Sequence, residues 1–229
     1  MSSILVTGAN RGLGLEFCRQ YAAAGWRVFA TCREPGDAAA LAELASRFPL
    51  LSLHALDVAN FSQIDALSAE LAGESCDLLL NNAGIYPDNS GLGNLDYQVW
   101  AQAFWVNTLA AVKMAEAFLP QVERSEGKLI AAVSSLMGSM TDNTSGGSYL
   151  YRTSKAALNA AYKSLSIDLR PRGVGVLILH PGWVQTDMGG KNALIDASES
   201  VAGMRTQLDA FTLKQTGGFI RYDGRIAPW

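Results

Sequence analysis

Tyr151 and Lys155 stand four residues apart in the run Tyr151-Arg152-Thr153-Ser154-Lys155. Positions i and i+4 share one face of a helix, so a phenol and an ammonium at this spacing can serve one site. A free phenol titrates near 10, and a cation about 4–6 Å away lowers that by roughly one to three units. The pair therefore predicts a Tyr151 able to pass a proton to or from a substrate oxygen. Tyr149 does not qualify, because the residue four positions on is Thr153. Upstream, Ser134-Ser135 closes a strand-like run, where a hydroxyl can polarise a carbonyl oxygen. By position either serine fits. Asn107, in Trp105-Val106-Asn107-Thr108, is an amide inside a helical stretch rich in Ala, Leu and Val. Taken alone it marks a hydrogen-bonded kink as readily as a site residue.

A second group of residues has the chemistry to hold an anion. Thr7-Gly8-Ala9-Asn10-Arg11-Gly12-Leu13-Gly14 follows the first apolar run. Glycines let the backbone turn tightly there, and a helix starting near Gly12 would offer free N–H groups and a positive dipole end to a pyrophosphate. The spacing departs from G-x-G-x-x-G, since three residues separate the first two glycines. The next strand runs into Thr31-Cys32-Arg33, with no carboxylate before Glu34. An acid at that place binds the ribose 2′-hydroxyl of NAD, whereas an arginine accommodates the 2′-phosphate of NADP. Arg11 and Arg33 together predict NADPH, because guanidinium forks bind a phosphate dianion far better than a neutral hydroxyl.

The elements between these residues have to bring them together. Short apolar runs over 4–7, 27–31, 50–56, 77–81, 128–135 and 175–180 alternate with helical stretches over 13–24, 37–47, 61–72, 96–119 and 149–169. Stop signals stand at Ala24-Gly25 and at Pro171-Arg172-Gly173. Residues 78–80 and 174–179 are apolar without alternation, which implies burial on both faces and a parallel sheet. Six or seven such units predict an α/β fold. It is a single domain over 1–229 built on a doubly wound, Rossmann-type parallel sheet of seven strands, with helices on both faces. Ligands of such sheets lie beyond the carboxyl ends of the strands. Residues 182–198 show no clear periodicity and predict a substrate lid near 183–200.

Composition narrows the function further. Hydrophobic residues make up 49% of the 229, and charge, at 17%, is below the roughly 25% of an average soluble domain, so one sizeable core is expected. A net charge of −3 without a basic run argues against nucleic acid or an anionic membrane as partner. Cys18, Cys32 and Cys76 lack CxxC spacing and suit reduced thiols in the cytoplasm. His54 and His180 have no ligand at helical spacing, so no metal site is expected. No apolar stretch reaches the length of a membrane span, and a strand at the amino end argues against a signal peptide.

With its Thr7-Gly8 … Gly12 … Gly14 turn and the set Asn107, Ser135, Tyr151 and Lys155, the chain resembles the compact short-chain dehydrogenase/reductases. The likeness includes Asp57-Val58, which it places beside the adenine, and Asn81-Asn82-Ala83-Gly84, which it places along the cofactor groove. Pro181-Gly182-Trp183-Val184-Gln185-Thr186 resembles the segment that holds the nicotinamide carboxamide, and Thr216-Gly217 with Asp223-Gly224 flank a last strand. The run from His180 to Gly190 and the ending Tyr222-Asp223-Gly224 … Pro228-Trp229 are similar to sniffer-type carbonyl reductases and C-factor-like proteins. Ser135 lies sixteen residues before Tyr151, farther than the family's usual spacing, with the extra length in the polar stretch 140–147. As the second of the serine pair it is the one the resemblance favours.

What the resemblance implies is a reductase that uses NADPH on a small carbonyl compound. Tyr151 would give the proton and Ser135 would fix the carbonyl oxygen. Lys155 would hold the nicotinamide ribose, and Asn107 would carry a water towards Lys155. The cofactor set takes Gly8, Asn10, Arg11, Gly12, Leu13 and Gly14 from the turn, then Arg33, Asp57, Val58, Asn81, Ala83 and Gly84. It ends with Tyr151, Lys155, Pro181, Gly182, Val184 and Thr186. Leu136, Met137, Tyr86, Tyr149, Trp183 and Met188 would wall the substrate pocket, and a wall without cations suits neutral ketones, aldehydes or quinones. Such a cluster serves equally as core. A homodimer is expected through 96–119 and 149–169, with Trp100, Phe104 and Trp105 adding apolar area. A dinucleotide-binding regulatory protein with little turnover stays open as the alternative.

Overall fold

Successive residues of a strand face opposite sides of its sheet, and here both sides are apolar. The computed structural model describes residues 1–87 and 91–229. Its strands are β1 (Ser3–Thr7), β2 (Arg27–Cys32), β3 (Leu51–Ala55), β4 (Leu78–Asn81), β5 (Leu129–Val133), β6 (Gly175–His180) and β7 (Gly218–Arg221). All pair in parallel, in the order β3-β2-β1-β4-β5-β6-β7. On one side Ile4, Val6, Leu177 and Leu179 pack with helices α1 (Gly12–Ala23), α2 (Ala39–Arg47) and α7 (Ala197–Asp209). On the other, Leu5, Leu79, Ile130 and Ile178 pack with α3 (Phe61–Glu70), α5 (Ala110–Glu123) and α6 (Tyr149–Leu169). The chain steps outward from β1 to β3, then returns to lay β4 beside β1. That reversal opens a crevice at the carboxyl ends of β1 and β4.

The structure departs from the sequence expectations at three elements. The second helical expectation, 37–47, begins only at Ala39, because a 3-10 turn over Pro35–Asp37 precedes it. The single long helix expected over 96–119 is α4 (Tyr97–Phe104), a π turn (Trp105–Leu109) and α5, which continues through Pro120 to Glu123. Helix α7 was not expected at all. Asp196 caps it by accepting from the Glu199 N–H at 2.7 Å, and Ser200, Val201, Met204 and Leu208 are buried beneath it. The irregular lid stretch therefore ends at Asp196, short of the expected 200. No helix among the described residues is long and apolar enough to cross a membrane.

Candidate active site

The glycine turn after β1 is held by close backbone approach. A Cβ on Gly14 would lie 2.1 Å from the Gly8 carbonyl oxygen, so only glycine lets α1 dock there. Asn82 ties this turn to the one after β4. Its Nδ2 donates to the carbonyls of Thr7 (2.9 Å) and Gly8 (3.2 Å), while Thr7 Oγ1 accepts from the Asn82 and Ala83 N–H groups. The side chain of Arg11 at the start of α1 makes no capping bond, and the helix has no acid in its first turn. Its leading N–H groups and dipole are left to face an anion.

A groove of about 330 Å³ runs across this turn. Arg33, Asp57 and Val58 border one end, then Gly8, Asn10, Arg11, Gly12 and Leu13, and Ala83, Gly84, Tyr151, Lys155, Pro181 and Thr186 the other. Four residues of the predicted cofactor set do not border it. Gly14 lies beneath the turn. The Asn81 amide donates to the Tyr162 hydroxyl at 2.7 Å, facing into the core, and it is Asn82 that borders the groove. Gly182, where a Cβ would meet Ile195 at 2.8 Å, and the buried Val184, which pairs with Ile195, shape the loop after β6 instead. Leu56, Ile85, Gln102, Val106 and Asp187 also border the groove. No local pattern announces these, because tertiary packing alone brings them in.

At the far end of the groove Tyr151 occupies the first turn of α6, buried, and hydrogen-bonded to the Ser135 side chain. Ser135 Oγ accepts from the Met137 N–H at 3.1 Å and starts a 3-10 turn over Leu136–Gly138. That turn lies flat on α6, where a Cβ on Gly138 would come within 2.8 Å of the Lys155 backbone. The approach brings Ser135 to Tyr151 across the long 140–147 loop. Ser134 is committed elsewhere, donating to Asn159 Oδ1 at 2.6 Å. Behind the turn His180, whose pKa burial lowers to about 4, accepts from the Leu136 N–H through Nδ1 at 3.2 Å.

The electrostatics differ from the spacing argument. Lys155 Nζ donates to the Val133 carbonyl at 2.9 Å and lies 5.8 Å from the Tyr151 ring centre. Burial pushes Lys155 down to about 8. Burial also pushes Tyr151 up to about 12, against the opposing pull of the Ser135 hydrogen bond. The expected lowering of the phenol by Lys155 is therefore reversed. Both groups are desolvated, and removing water disfavours the charged form of each.

Asn107 sits in the π turn and is buried. Its Oδ1 accepts from the Ile85 N–H at 2.8 Å, and its Nδ2 donates to the Ile85 carbonyl and to Ser154 Oγ, both at 2.9 Å. Both amide protons are thus taken, and the side chain clamps the loop after β4 to α6.

The predicted pocket wall divides. Tyr86 packs on Tyr151, ring centres 4.6 Å apart, and its hydroxyl lies 3.1 Å from Ser148 Oγ. Met188 borders the groove. Tyr149 instead leans on Trp100, Leu136 packs against the core, and Trp183 donates to the Gly189 carbonyl. Two aromatics expected at a dimer face are bonded within their own chain. Trp100 donates to Thr153, and Trp105 stacks on Phe61 while donating to the Ala59 carbonyl.

Residues 2–194 match the model of the short chain dehydrogenase family. The chain belongs to this family of oxidoreductases. Among solved structures, this short-chain dehydrogenase is similar to carbonyl reductase Sniffer of D. melanogaster, with a TM-score of 0.95, 37% identity and 100% of each chain covered. It is similar also to the NADPH-bound carbonyl reductase from chicken fatty liver, at a TM-score of 0.94 and 35% identity, covering 100% of this chain and 99% of that one. A curated relative is the C-signal of Myxococcus xanthus, 45% identical over 153 residues, which is 67% of this chain and 92% of that protein.

Proposed function

We propose that this short-chain dehydrogenase is an NADPH-dependent carbonyl reductase, acting on neutral apolar or aromatic ketones, aldehydes or quinones. The observation that carries the reading is the buried Tyr151 phenol at the end of the groove, bonded to Ser135 and backed by Lys155. A dinucleotide suits the remainder of the groove. The uncapped start of α1 would meet its pyrophosphate, and the exposed Arg33 its 2′-phosphate.

NADPH, when bound, supplies the hydride. The protein supplies orientation and the proton. Ser135 accepts from the Met137 N–H, which leaves its hydroxyl as a donor that can turn from the Tyr151 oxygen to a substrate carbonyl oxygen and polarise it. Tyr151 then gives its proton as charge builds on that oxygen. A pKa pushed up to about 12 keeps the phenol protonated at neutral pH, which is the state a reducing enzyme needs. An alkoxide is a far stronger base than a phenolate, so the transfer still runs downhill. Lys155, charged below about 8, stabilises the phenolate left behind. Tyr86 and Met188 offer the substrate an apolar face with no cation, which disfavours carboxylates and phosphate esters.

The test is NADPH oxidation over a panel of ketones, aldehydes and quinones, with the native chain and Tyr151→Phe. At least one class should turn over, and Tyr151→Phe should lower kcat by about 10²–10⁴-fold with NADPH affinity unchanged. Retention of more than about a tenth of native turnover would contradict the role of Tyr151. The likeness to the C-signal favours a second reading, a dinucleotide-binding regulatory protein. That reading predicts NADPH binding with no turnover anywhere on the panel.

A further inference from the structure

One of the two cations expected to meet a 2′-phosphate already has a partner. Arg11 borders the groove at the glycine turn, and its Nη1 donates to Asp187 Oδ2 at 2.5 Å. The two come from opposite directions. Arg11 follows β1, while Asp187 belongs to the loop after β6, three strands away in the sheet. Strand β2, which leads into Arg33, flanks β1 on its other side. The ion pair thus turns Arg11 away from the Arg33 end of the groove and towards β6. The backbones support the approach, since a Cβ on Gly12 would lie 3.5 Å from the Thr186 methyl.

Both partners are largely in solvent, with side chains 66% and 76% exposed. An ion pair this exposed is weak and screened by salt. A phosphate dianion offers the same guanidinium two charges and a bidentate fit, so it can draw Arg11 off the carboxylate. Breaking the pair still opposes binding, and only a ligand that needs Arg11 meets that opposition. NADH has no 2′-phosphate and leaves the pair undisturbed.

Resting on the NADPH reading of the groove, we infer that Asp187 is a specificity-determining residue. It competes with the 2′-phosphate for Arg11, and so holds the preference for NADPH over NADH below what Arg11 and Arg33 would give unopposed. Loss of the carboxylate should sharpen cofactor discrimination rather than weaken it.

Dissociation constants for NADPH and NADH, from fluorescence titration, test this on the native chain, Asp187→Asn, Arg11→Met and the double variant. Both positions are exposed, so the fold should tolerate each change. Asp187→Asn should bind NADPH about three- to ten-fold tighter at low ionic strength, with NADH within about twofold. The gain should shrink at about 0.5 M salt. In the Arg11→Met background Asp187→Asn should have no effect on NADPH. An equal change for both cofactors would overturn the inference, because the pair would then clasp a part the two share. So would an unchanged NADPH affinity, or a gain that persists without Arg11. If the native chain bound neither cofactor, the NADPH reading itself would fall. Selective failure of the Asp187 arm, with NADPH still bound, removes only the competition.

Discussion

Lys155 is buried with its ammonium on the Val133 carbonyl, and that burial has a consequence for stability. In the unfolded chain a lysine titrates near 10.4. Folding lowers Lys155 to about 8, so between about 8 and 10.4 the unfolded state holds more protons and native stability rises with pH. Tyr151 works with the opposite sign. Its pKa, raised to about 12, makes the unfolded state the one that loses its proton first, so stability falls as pH climbs from about 10. At neutral pH the buried charge of Lys155 therefore costs stability. Lys155→Met should gain about 1–2 kcal/mol at pH 7, once the lost hydrogen bond is set against the relieved charge, and should lack the rise above pH 8. Urea denaturation across that range checks it; a variant no more stable than the native chain at pH 7 would contradict it. The pairing of Tyr151 with Lys155 could be read from the sequence because i,i+4 geometry is local. The direction of the Tyr151 pKa could not, since spacing says nothing of desolvation. Nor could the partners of the two serines, Asn159 for Ser134 and the Met137 N–H for Ser135, which tertiary packing sets.

At the scale of elements, the site depends on joints between segments distant in sequence. The π turn forms where Asn107 reaches the backbone of Ile85, and no property of residues 105–109 themselves requires it. Their apolar pattern continues that of the flanking helices, which is why one unbroken helix was expected. Asn107→Leu fills nearly the same volume but leaves the Ile85 N–H and carbonyl without their partner. Each orphan costs about 1–3 kcal/mol when fully buried, and these two are only partly buried, so the variant should lose about 2–4 kcal/mol of unfolding free energy in urea. A loss below about 0.5 kcal/mol would show that the clamp carries little of the joint, since it falls well under the cost of one orphan. Helix α7 escaped notice because its apolar residues are sparse, yet Asp196 followed three residues later by Glu199 is a readable start signal. The strands were more legible, since uninterrupted apolar runs leave few choices but a sheet covered on both faces.

For the molecule as a whole, the reversal of strand order between β3 and β4 gathers the glycine turn, the β4 turn and the start of α6 around one groove. Alternating elements made this architecture legible in the sequence, and family membership agrees with it. The groove joins a cationic end at Arg33 to the buried phenol of Tyr151, and the proposed reading rests on that layout. The central claim is that a hydride passes from the cofactor to the substrate's carbonyl carbon. The most direct measurement uses NADPH deuterated at the transferred position of the nicotinamide, with mass spectrometry of the alcohol formed from the best ketone or aldehyde of the panel. The account predicts a single deuterium on the former carbonyl carbon, and none there when unlabelled NADPH is used in deuterium oxide. A product that carries no deuterium from the labelled cofactor would contradict it.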